Sequence, residues 1–253
     1  MGGALVAGLI RAGWAEEAQL AVVEVDERAR AALAAQHPAL GLPEGPLVGV
    51  DALVAVKPPL VRPVCRQLAD RSCPRVLSVA AGIPVAALEA ELGAATVVLR
   101  AMPNTPALVG AGASAVAAGT TAAPADVDWA VGILRAVGEV VVVPEGQLDA
   151  VTGLSGSGPA YVFLVLEALI DAGVTAGLPR DAAHTLARQT VLGAARLAAE
   201  SSESPAELRA GVTTPAGTTA AGLRVLEQRA VRAALIDAVA AATERSRQLG
   251  RAD

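Results

Sequence analysis

Short apolar stretches alternate with helix-like stretches through the first half of the chain. The apolar stretches are rich in β-branched residues, as expected of strands that are buried on both faces. Predicted strands cover residues 19–25, 52–56, 75–79, 96–100, 113–117 and 139–143. Predicted helices cover residues 4–12, 27–35, 60–70, 84–92 and 126–137. Because strands that alternate with helices join into parallel sheets, the pattern predicts an α/β domain with a parallel sheet.

The pattern changes after Pro144, where strand signals end and long helical stretches take over. Predicted helices cover residues 147–152, 158–172, 180–200, 205–210, 218–227 and 230–249. A change from alternating strands and helices to helices alone indicates separate domains. We therefore predict an α/β domain over residues 1–145 and an all-α domain over residues 146–253.

Composition and charge narrow the class of protein. Hydrophobic residues make up 53% of the 253 residues and aromatic residues only 2%, so Ala, Val and Leu must fill the core. The net charge of −5, without a basic cluster, argues against nucleic acid and against an anionic membrane surface. No apolar run approaches the ~18 residues of a membrane span, and no signal peptide is recognisable. We therefore expect a cytoplasmic protein.

Cysteine and histidine are too few and too scattered for a metal site. Cys65 and Cys73 are the only cysteines, and His37 and His184 lie far apart without cysteine neighbours. Structural zinc sites need about four such ligands. The sequence therefore predicts no bound metal and no disulfide framework.

The start of the chain matches the later part of a dinucleotide-binding unit. That unit runs from a strand through G-x-G-x-x-G into a helix, and then to a second strand that ends in an acidic residue. Gly2 precedes the first predicted helix as the third glycine would, and Glu24 lies near the end of the next predicted strand. The usual first strand and the first two glycines are missing. We expect the true amino terminus to lie upstream of Met1, and the chain as written to bind dinucleotide poorly.

Three predicted strands end in loops that would share one edge of the sheet. Ala55–Pro58 follows the first, Ser78–Gly82 the second and Arg100–Pro106 the third. In open parallel sheets, ligands bind outside the carboxyl ends of the strands. The only lysine, Lys57, and the only asparagine, Asn104, fall on these loops. We therefore expect ligand contacts along this edge.

Two segments of the helical half lead into helices with small and hydroxyl residues. Leu154–Tyr161 is a predicted glycine-rich loop, and Val212–Thr219 precedes a later helix. Free backbone N–H groups and the helix dipole favour an anion at a helix start. The hydroxyls of Thr214, Thr218 and Thr219 add donors. Because the chain lacks a P-loop lysine, a small carboxylate fits better than a polyphosphate.

Together these motifs resemble pyrroline-5-carboxylate reductase in order and spacing over nearly the whole chain. The motifs are Asn104-Thr105-Pro106, Asp149–Thr152 continuing through Ser155–Tyr161, Gly177-Leu178-Pro179 and Thr214–Thr219. The resemblance implies a Rossmann-like amino-terminal domain, here without its first strand, followed by an all-α dimerisation domain. It also implies a homodimer or a larger homo-oligomer.

The resemblance further implies the activity and the residues that serve it. The implied reaction is the reduction of 1-pyrroline-5-carboxylate to L-proline, the last step of proline biosynthesis, with NADPH or NADH. The implied cofactor contacts, beside Gly2 and Glu24, are Ala55, Val56, Lys57, Pro58, Ala81, Met102 and Asn104. The implied substrate contacts are Glu145, Thr214, Gly217, Thr218 and Thr219. Thr219 is the catalytic candidate, because its hydroxyl would face the ring nitrogen, orient the imine and relay a proton.

Three positions depart from the family pattern. Ala210-Gly211 stands where the family usually has an aspartate followed by another residue. Ala216 replaces the first glycine of the family's Ser-Pro-Gly-Gly segment, which is acceptable only if Ala216 has a negative φ. Val23-Glu24 replaces a serine pair that contacts the cofactor phosphate, so the sequence leaves open whether NADPH or NADH is preferred. Arg28 and Arg30 follow closely and could pair with such a phosphate.

Two other interpretations stay open at this point. A β-hydroxyacid dehydrogenase would share the two-domain plan, but it is expected to carry a catalytic lysine in the helical half, and Lys57 lies in the other half. A non-catalytic protein could keep the dimer and bind proline. The missing first strand favours that second alternative.

Overall fold

The structure is a computed structural model that describes residues Met1–Arg251. Met1–Ser157 and the chain from Ala240 onward form one compact unit, and Gly158–Val239 form a second. These units divide later than residue 145. One reason is that Leu148 is buried against the sheet in the first unit. The assignment of residues 1–145 and 146–253 to two functional domains stays a prediction.

The described residues of the first unit form one five-stranded sheet. Its strands, in both chain and spatial order, are β1 (Ala52–Val54), β2 (Arg75–Ser78), β3 (Val97–Met102), β4 (Gly112–Ala118) and β5 (Gly138–Val142). β1, β2 and β3 are parallel, β4 is antiparallel to β3, and β5 is parallel to β4. The prediction of a wholly parallel sheet is therefore wrong for the last two strands. A connection between two parallel strands needs about a dozen or more residues, usually in a helix. Only a 3-10 turn at Thr105–Val109 joins β3 to β4.

Four helices cover the two faces of this sheet, as predicted: α1 (Gly2–Arg11), α3 (Pro58–Ala69), α4 (Val85–Leu92) and α5 (Pro124–Arg135). A further helix of this unit, α2 (Glu27–Gln36), has no buried residue. Adjacent strand residues point to opposite faces. Val98 accordingly packs with Val61 of α3, whereas Leu99 packs with Leu5 of α1 and Leu134 of α5. The inner strands β2, β3 and β4 are thus buried on both sides, whereas the edge strand β5 leaves Val141 and Val142 exposed.

Residues 19–25 do not form the predicted strand. Glu17–Gln19 make a 3-10 turn, and beyond it only a single parallel bridge joins Ala21 to Gly41. A strand is stabilised by a hydrogen-bonded neighbour, and in the described part of the chain β1 pairs with β2 alone. Val25 is consequently 87% exposed. The β-branched composition is that of a strand, but the segment lacks a ladder to join.

Helices make up the second unit and connect it to the first. They are α6 (Leu148–Val151), α7 (Gly158–Thr175), α8 (Arg180–Glu200), α9 (Pro205–Gly211), α10 (Thr218–Gln228) and α11 (Val231–Arg251). α6 and the part of α11 from Ala240 onward belong to the first unit. There, Ser246 Oγ donates to Asp149 Oδ1 over 2.6 Å. Gly177, with φ +99°, makes the predicted turn between α7 and α8.

α7 leaves a long apolar surface exposed. Its exposed apolar side chains include Val162, Phe163, Leu164, Val165 and Leu169. By length and composition alone, the helical run Glu145–Thr175 could cross a membrane. That finding corrects the expectation that no apolar run approaches such a length. The core helix of a soluble protein passes the same test, so the run alone does not indicate a membrane.

Candidate active site

Gly2 and the loop after β1 meet at the carboxyl end of β1. A Cβ on Gly2 would stand 3.5 Å from the Cβ of Ala55, so the first turn of α1 passes close to that strand end. α1 has neither a side-chain cap nor an acidic residue in its first turn. The first N–H groups of a helix lack intrahelical acceptors and attract phosphate. This corner of the unit therefore fits the phosphates of a dinucleotide.

Other predicted cofactor contacts lie on the same edge. Val56 and the exposed Lys57 follow β1, and Pro58 is the first residue of α3. Ala81 is exposed in the loop after β2, and Met102 ends β3. Because β1, β2 and β3 are parallel, their carboxyl ends share one edge. The structure thus brings these residues to one side of the sheet, while their contact with a cofactor stays a prediction.

Asn104 is buried and bonded at both ends of its amide. Its Nδ2 donates to the carbonyl oxygen of Ser155 over 3.0 Å, and its Oδ1 accepts from the N–H of Ala113 over 2.9 Å. The side chain therefore ties the end of β3 to β4 and to the turn that precedes α7. One Nδ2 hydrogen remains for the predicted cofactor contact.

The segment predicted as a glycine-rich loop is helical. Thr152–Gly156 form a π-helical turn between α6 and α7, in which the N–H of Ser157 donates to the carbonyl of Thr152 over 2.8 Å. The Thr152 hydroxyl donates to the carbonyl of Leu148, so its polar group is satisfied within a helix. A Cβ on Gly156 would stand 2.8 Å from Met102 Cε. The end of the Met102 side chain therefore packs directly against the backbone of this turn.

Glu145 lies just after β5 and binds two distant parts of the chain. Its Oε1 accepts from the N–H of Val85 over 2.6 Å and from Arg100 Nη1 over 3.1 Å. It thereby caps α4, because the N-cap residue Pro84 offers no side-chain acceptor. Within the described residues, Oε2 accepts no hydrogen bond, so the predicted substrate contact would use that oxygen.

Arg100, which the sequence predicts only as the first residue of the loop Arg100–Pro106, forms a buried ion pair that sequence reasoning missed. It is 8% exposed and lies in the middle of β3, a strand that is otherwise apolar. A buried charge needs a partner, and this mismatch was the available signal. The partner could not be read from the chain, because Glu145 is distant in sequence.

Glu24 and the nearby arginines are held by local contacts. Glu24 Oε1 accepts from the N–H of Asp26 over 2.9 Å. The Arg30 guanidinium donates to the carbonyl oxygens of Leu42 and Pro43. Arg30 is therefore occupied in the structure, and the exposed Arg28 is the more available of the two arginines.

In the second unit, four predicted substrate residues form one turn and helix start. The N–H of Gly217 donates to the carbonyl of Thr214 over 3.0 Å. Gly217 is the N-cap of α10 and provides no side-chain cap. In the part of the chain that the structure describes, the N–H groups of Thr218, Thr219 and Ala220 donate to no protein acceptor. Three free donors and the neighbouring hydroxyls can hold a small carboxylate.

Ala216 departs from expectation in this turn. Its φ is +58°, so the condition that it keeps a negative φ is not met. The turn demands the left-handed conformation that glycine adopts freely and alanine adopts at a cost. Alanine therefore occupies a glycine-type position at a conformational cost.

Comparisons with known proteins agree with this arrangement. A family model for pyrroline-5-carboxylate reductase dimerisation matches residues 145–249. A pyrroline-5-carboxylate reductase from Synechocystis sp. is 50% identical over 200 residues, which cover 79% of this chain and 74% of that protein. The structure of a pyrroline-5-carboxylate reductase from Coxiella burnetii has a TM-score of 0.91 and 36% identity, and covers 98% of this chain and 94% of its own.

A second solved structure includes a bound cofactor. It is pyrroline carboxylate reductase from Plasmodium falciparum with NADP bound, with a TM-score of 0.85, 28% identity and coverage of 99% of this chain and 94% of its own. The similarities extend over the Rossmann-like unit as well as the helical half. The chain therefore belongs to the pyrroline-5-carboxylate reductase family.

Proposed function

We propose that the protein reduces 1-pyrroline-5-carboxylate to L-proline with NADPH or NADH, as the last step of proline biosynthesis. The observation that carries this proposal is the open start of α10, where the N–H groups of Thr218, Thr219 and Ala220 have no acceptor among the described residues. A substrate that is small and carries one carboxylate suits these donors. The family membership supplies the substrate class.

The sheet edge of the first unit would hold the cofactor. The uncapped start of α1 at Gly2, beside Ala55, offers N–H donors for the phosphates. The exposed residues Lys57 and Ala81 border the same edge. When bound, the nicotinamide supplies a hydride to the imine carbon. The protein binds, aligns and polarises the substrate.

The start of α10 would hold the substrate and help to place a proton on its ring nitrogen. The three N–H groups bind the carboxylate, and the Thr214 hydroxyl lies beside Gly217 in the same turn. The Thr219 hydroxyl would form a hydrogen bond with the ring nitrogen of the substrate. That nitrogen must carry a proton before the imine carbon accepts a hydride. A hydroxyl is a weak acid, so orientation is its larger contribution. Glu145 would stand beside the substrate through Oε2.

The exposed apolar surface of α7 and the match to a dimerisation family support a homodimer or a larger homo-oligomer. Phe163 is 59% exposed and Leu164 66% exposed in the single chain. Large apolar patches of this kind mark protein contacts. A second copy of the chain would cover these side chains. We expect the enzyme to act in the cytoplasm on a small molecule, without a nucleic acid or membrane partner.

The deciding experiment is an imine-reduction assay with the purified protein and each cofactor. Cofactor oxidation that depends on 1-pyrroline-5-carboxylate, with proline as the product, would support the proposal. Oxidation of β-hydroxyacids instead would indicate a dehydrogenase of the same plan. Proline binding by calorimetry without turnover of either substrate would indicate a non-catalytic relative.

A further inference from the structure

The loop between β2 and α4, residues 79–84, is held from two sides. At its end, the N–H of Val85 donates to Glu145 Oε1 over 2.6 Å. On its other side, a Cβ on Gly250 of α11 would stand 3.1 Å from the Gly82 carbonyl oxygen, so the two backbones lie close together. Ala81, the predicted cofactor contact, lies exposed within this loop. The loop is thus fixed by chain segments that are remote in sequence.

Arg100 in turn fixes Glu145. Arg100 is the register partner of Ser78, the last residue of β2, so it lies beside the strand end from which the loop begins. Its Nη1 donates to the same Oε1 that binds Val85. Among the described residues, Glu145 is the only carboxylate that pairs with this buried guanidinium. Loss of Glu145 would leave the Arg100 charge buried and unpaired.

We propose that Glu145 and Arg100 are positioning residues for dinucleotide binding, which hold residues 79–84 in the conformation that receives the cofactor. The inference rests on the proposed function, because that function places the cofactor at this edge. Without the Glu145–Arg100 pair, the start of α4 loses its cap and the loop samples other conformations. Binding must then restore the order, which weakens the apparent affinity.

The test is a titration of NADPH fluorescence without imine, paired with steady-state kinetics. We expect Glu145→Ala to raise the dissociation constant of NADPH about tenfold, the order expected for a lost hydrogen bond to a charged group. Glu145→Gln should weaken binding less, because its amide oxygen can still accept from Val85. Because Glu145 is also a proposed substrate contact, the imine KM of Glu145→Ala should rise as well, and the titration without imine isolates the effect on the cofactor. The partial recovery of NADPH affinity in Glu145→Gln is the readout that a merely structural defect would not produce.

Arg100→Met tests the buried charge of Arg100 separately from the Glu145 cap on α4. It removes the buried guanidinium but leaves Glu145 bonded to Val85, and we expect weaker NADPH binding because Glu145 loses its anchor. The double variant Glu145→Ala/Arg100→Met should bind NADPH no more weakly than the single variant with the lower NADPH affinity, because the two residues act as one unit. Glu139→Gln is the matched control, since Glu139 is an exposed carboxylate on β5 with no hydrogen bond or ion pair among the described residues.

Two outcomes would overturn the inference. One is an unchanged NADPH dissociation constant in Glu145→Ala, or in Glu145→Gln and Arg100→Met if the alanine variant fails to fold. The other is a raised imine KM with unchanged NADPH affinity, which would assign Glu145 to the substrate alone. If the wild-type chain fails to reduce the imine, the proposed function fails, but the NADPH titration still decides the role of the pair.

Discussion

Gly217 lies so close to Thr214 that a Cβ on Gly217 would stand 2.2 Å from Thr214 Oγ1. The same Cβ would stand 3.1 Å from the Thr214 carbonyl oxygen. The side chain could rotate away, but the backbone could not yield without changing the turn. The contact therefore couples the Thr214 hydroxyl to the open start of α10, where the proposed carboxylate binds.

Gly217→Ala should disrupt substrate binding. We expect kcat/KM for the imine to fall about 10–100-fold, because small displacements of positioning groups have effects of this order. The NADPH dissociation constant should stay unchanged. Gly222→Ala in α10 is the control, since a Cβ there meets nothing within 4 Å. It should leave kinetics intact and raise the free energy of unfolding by about 0.5–1 kcal/mol. If Gly217→Ala keeps the wild-type kcat/KM, this turn is not part of the substrate site.

Ala216→Gly should stabilise the protein. Alanine at φ +58° carries a left-handed penalty of about 1–2 kcal/mol, which glycine avoids. The added freedom of glycine in the unfolded chain offsets part of this gain, so we expect a net rise of about 1 kcal/mol or less in the free energy of unfolding. Urea unfolding at fixed protomer concentration measures it. Ala221→Gly, in the first turns of α10, should instead destabilise by up to about 1 kcal/mol. An equal decrease in the free energy of unfolding in both variants would contradict the strain at Ala216.

The sequence predicted elements wherever local chemistry decides them. In α3, Pro58 occupies the first position, and Val61, Cys65 and Leu68 recur on one buried face. The β-branched and apolar residues of β2 and β3 likewise identified buried strands. Proline at a helix start and apolar spacing are properties of short segments, and they need no knowledge of the rest of the fold.

Pairing between distant segments could not be predicted in the same way. Residues 19–25 have strand composition but find only the Ala21–Gly41 bridge. The reversal at β4 depends on the short connection after β3. Glu145 was predicted as a substrate contact, but its bonds to Val85 and Arg100 join elements that only the folded sheet brings together. The left-handed φ of Ala216 likewise depends on the turn around it.

NADH should be used at least as well as NADPH. Glu24 accepts a hydrogen bond from Asp26 through one oxygen, and an acid at this position of the dinucleotide-binding pattern can bind a ribose 2′-hydroxyl and repel a 2′-phosphate. Arg30 is held by the Leu42 and Pro43 carbonyls. The ratio of kcat/KM values measures the preference, and Glu24→Ser should shift it towards NADPH. Glu27→Ser, an exposed first-turn position of α2, is the control. A wild-type preference for NADPH would show that the arginines dominate.

Thr219→Val should lower turnover more than it weakens cofactor binding. Valine preserves the shape of the side chain but removes the hydroxyl that would face the ring nitrogen. Loss of a positioned proton partner lowers rates by roughly 10²–10⁴-fold. Steady-state kinetics and an NADPH titration separate the two effects. Thr175→Val, which removes an exposed hydroxyl bonded to the Asp171 carbonyl near the end of α7, should keep wild-type turnover. An unchanged turnover number in Thr219→Val would remove Thr219 from the mechanism.

Both cysteines should be unreactive in the folded protein. Cys65 is fully buried, and burial raises the pKa of its thiol from 9.0 to about 11, with the nearby Glu91 carboxylate adding to the shift. Burial also raises the pKa of Cys73, whose Sγ donates to the carbonyl oxygens of Val50 and Arg75. Because the thiolate is the reactive form, a thiol reagent at pH 8 should label neither residue until urea unfolds the chain.

The same pKa shifts predict how stability depends on pH. The folded state holds the thiol proton more tightly than the unfolded state, so the stabilisation is complete below about pH 9 and is lost as the pH rises towards about 11. The free energy of unfolding, measured by urea between pH 8 and pH 10.5, should fall in wild type more steeply than in Cys65→Ala/Cys73→Ala. The double variant will be less stable at every pH because it leaves cavities, so the slopes are compared. Equal slopes, or rapid labelling of the folded protein at pH 8, would contradict the burial of these thiols in solution.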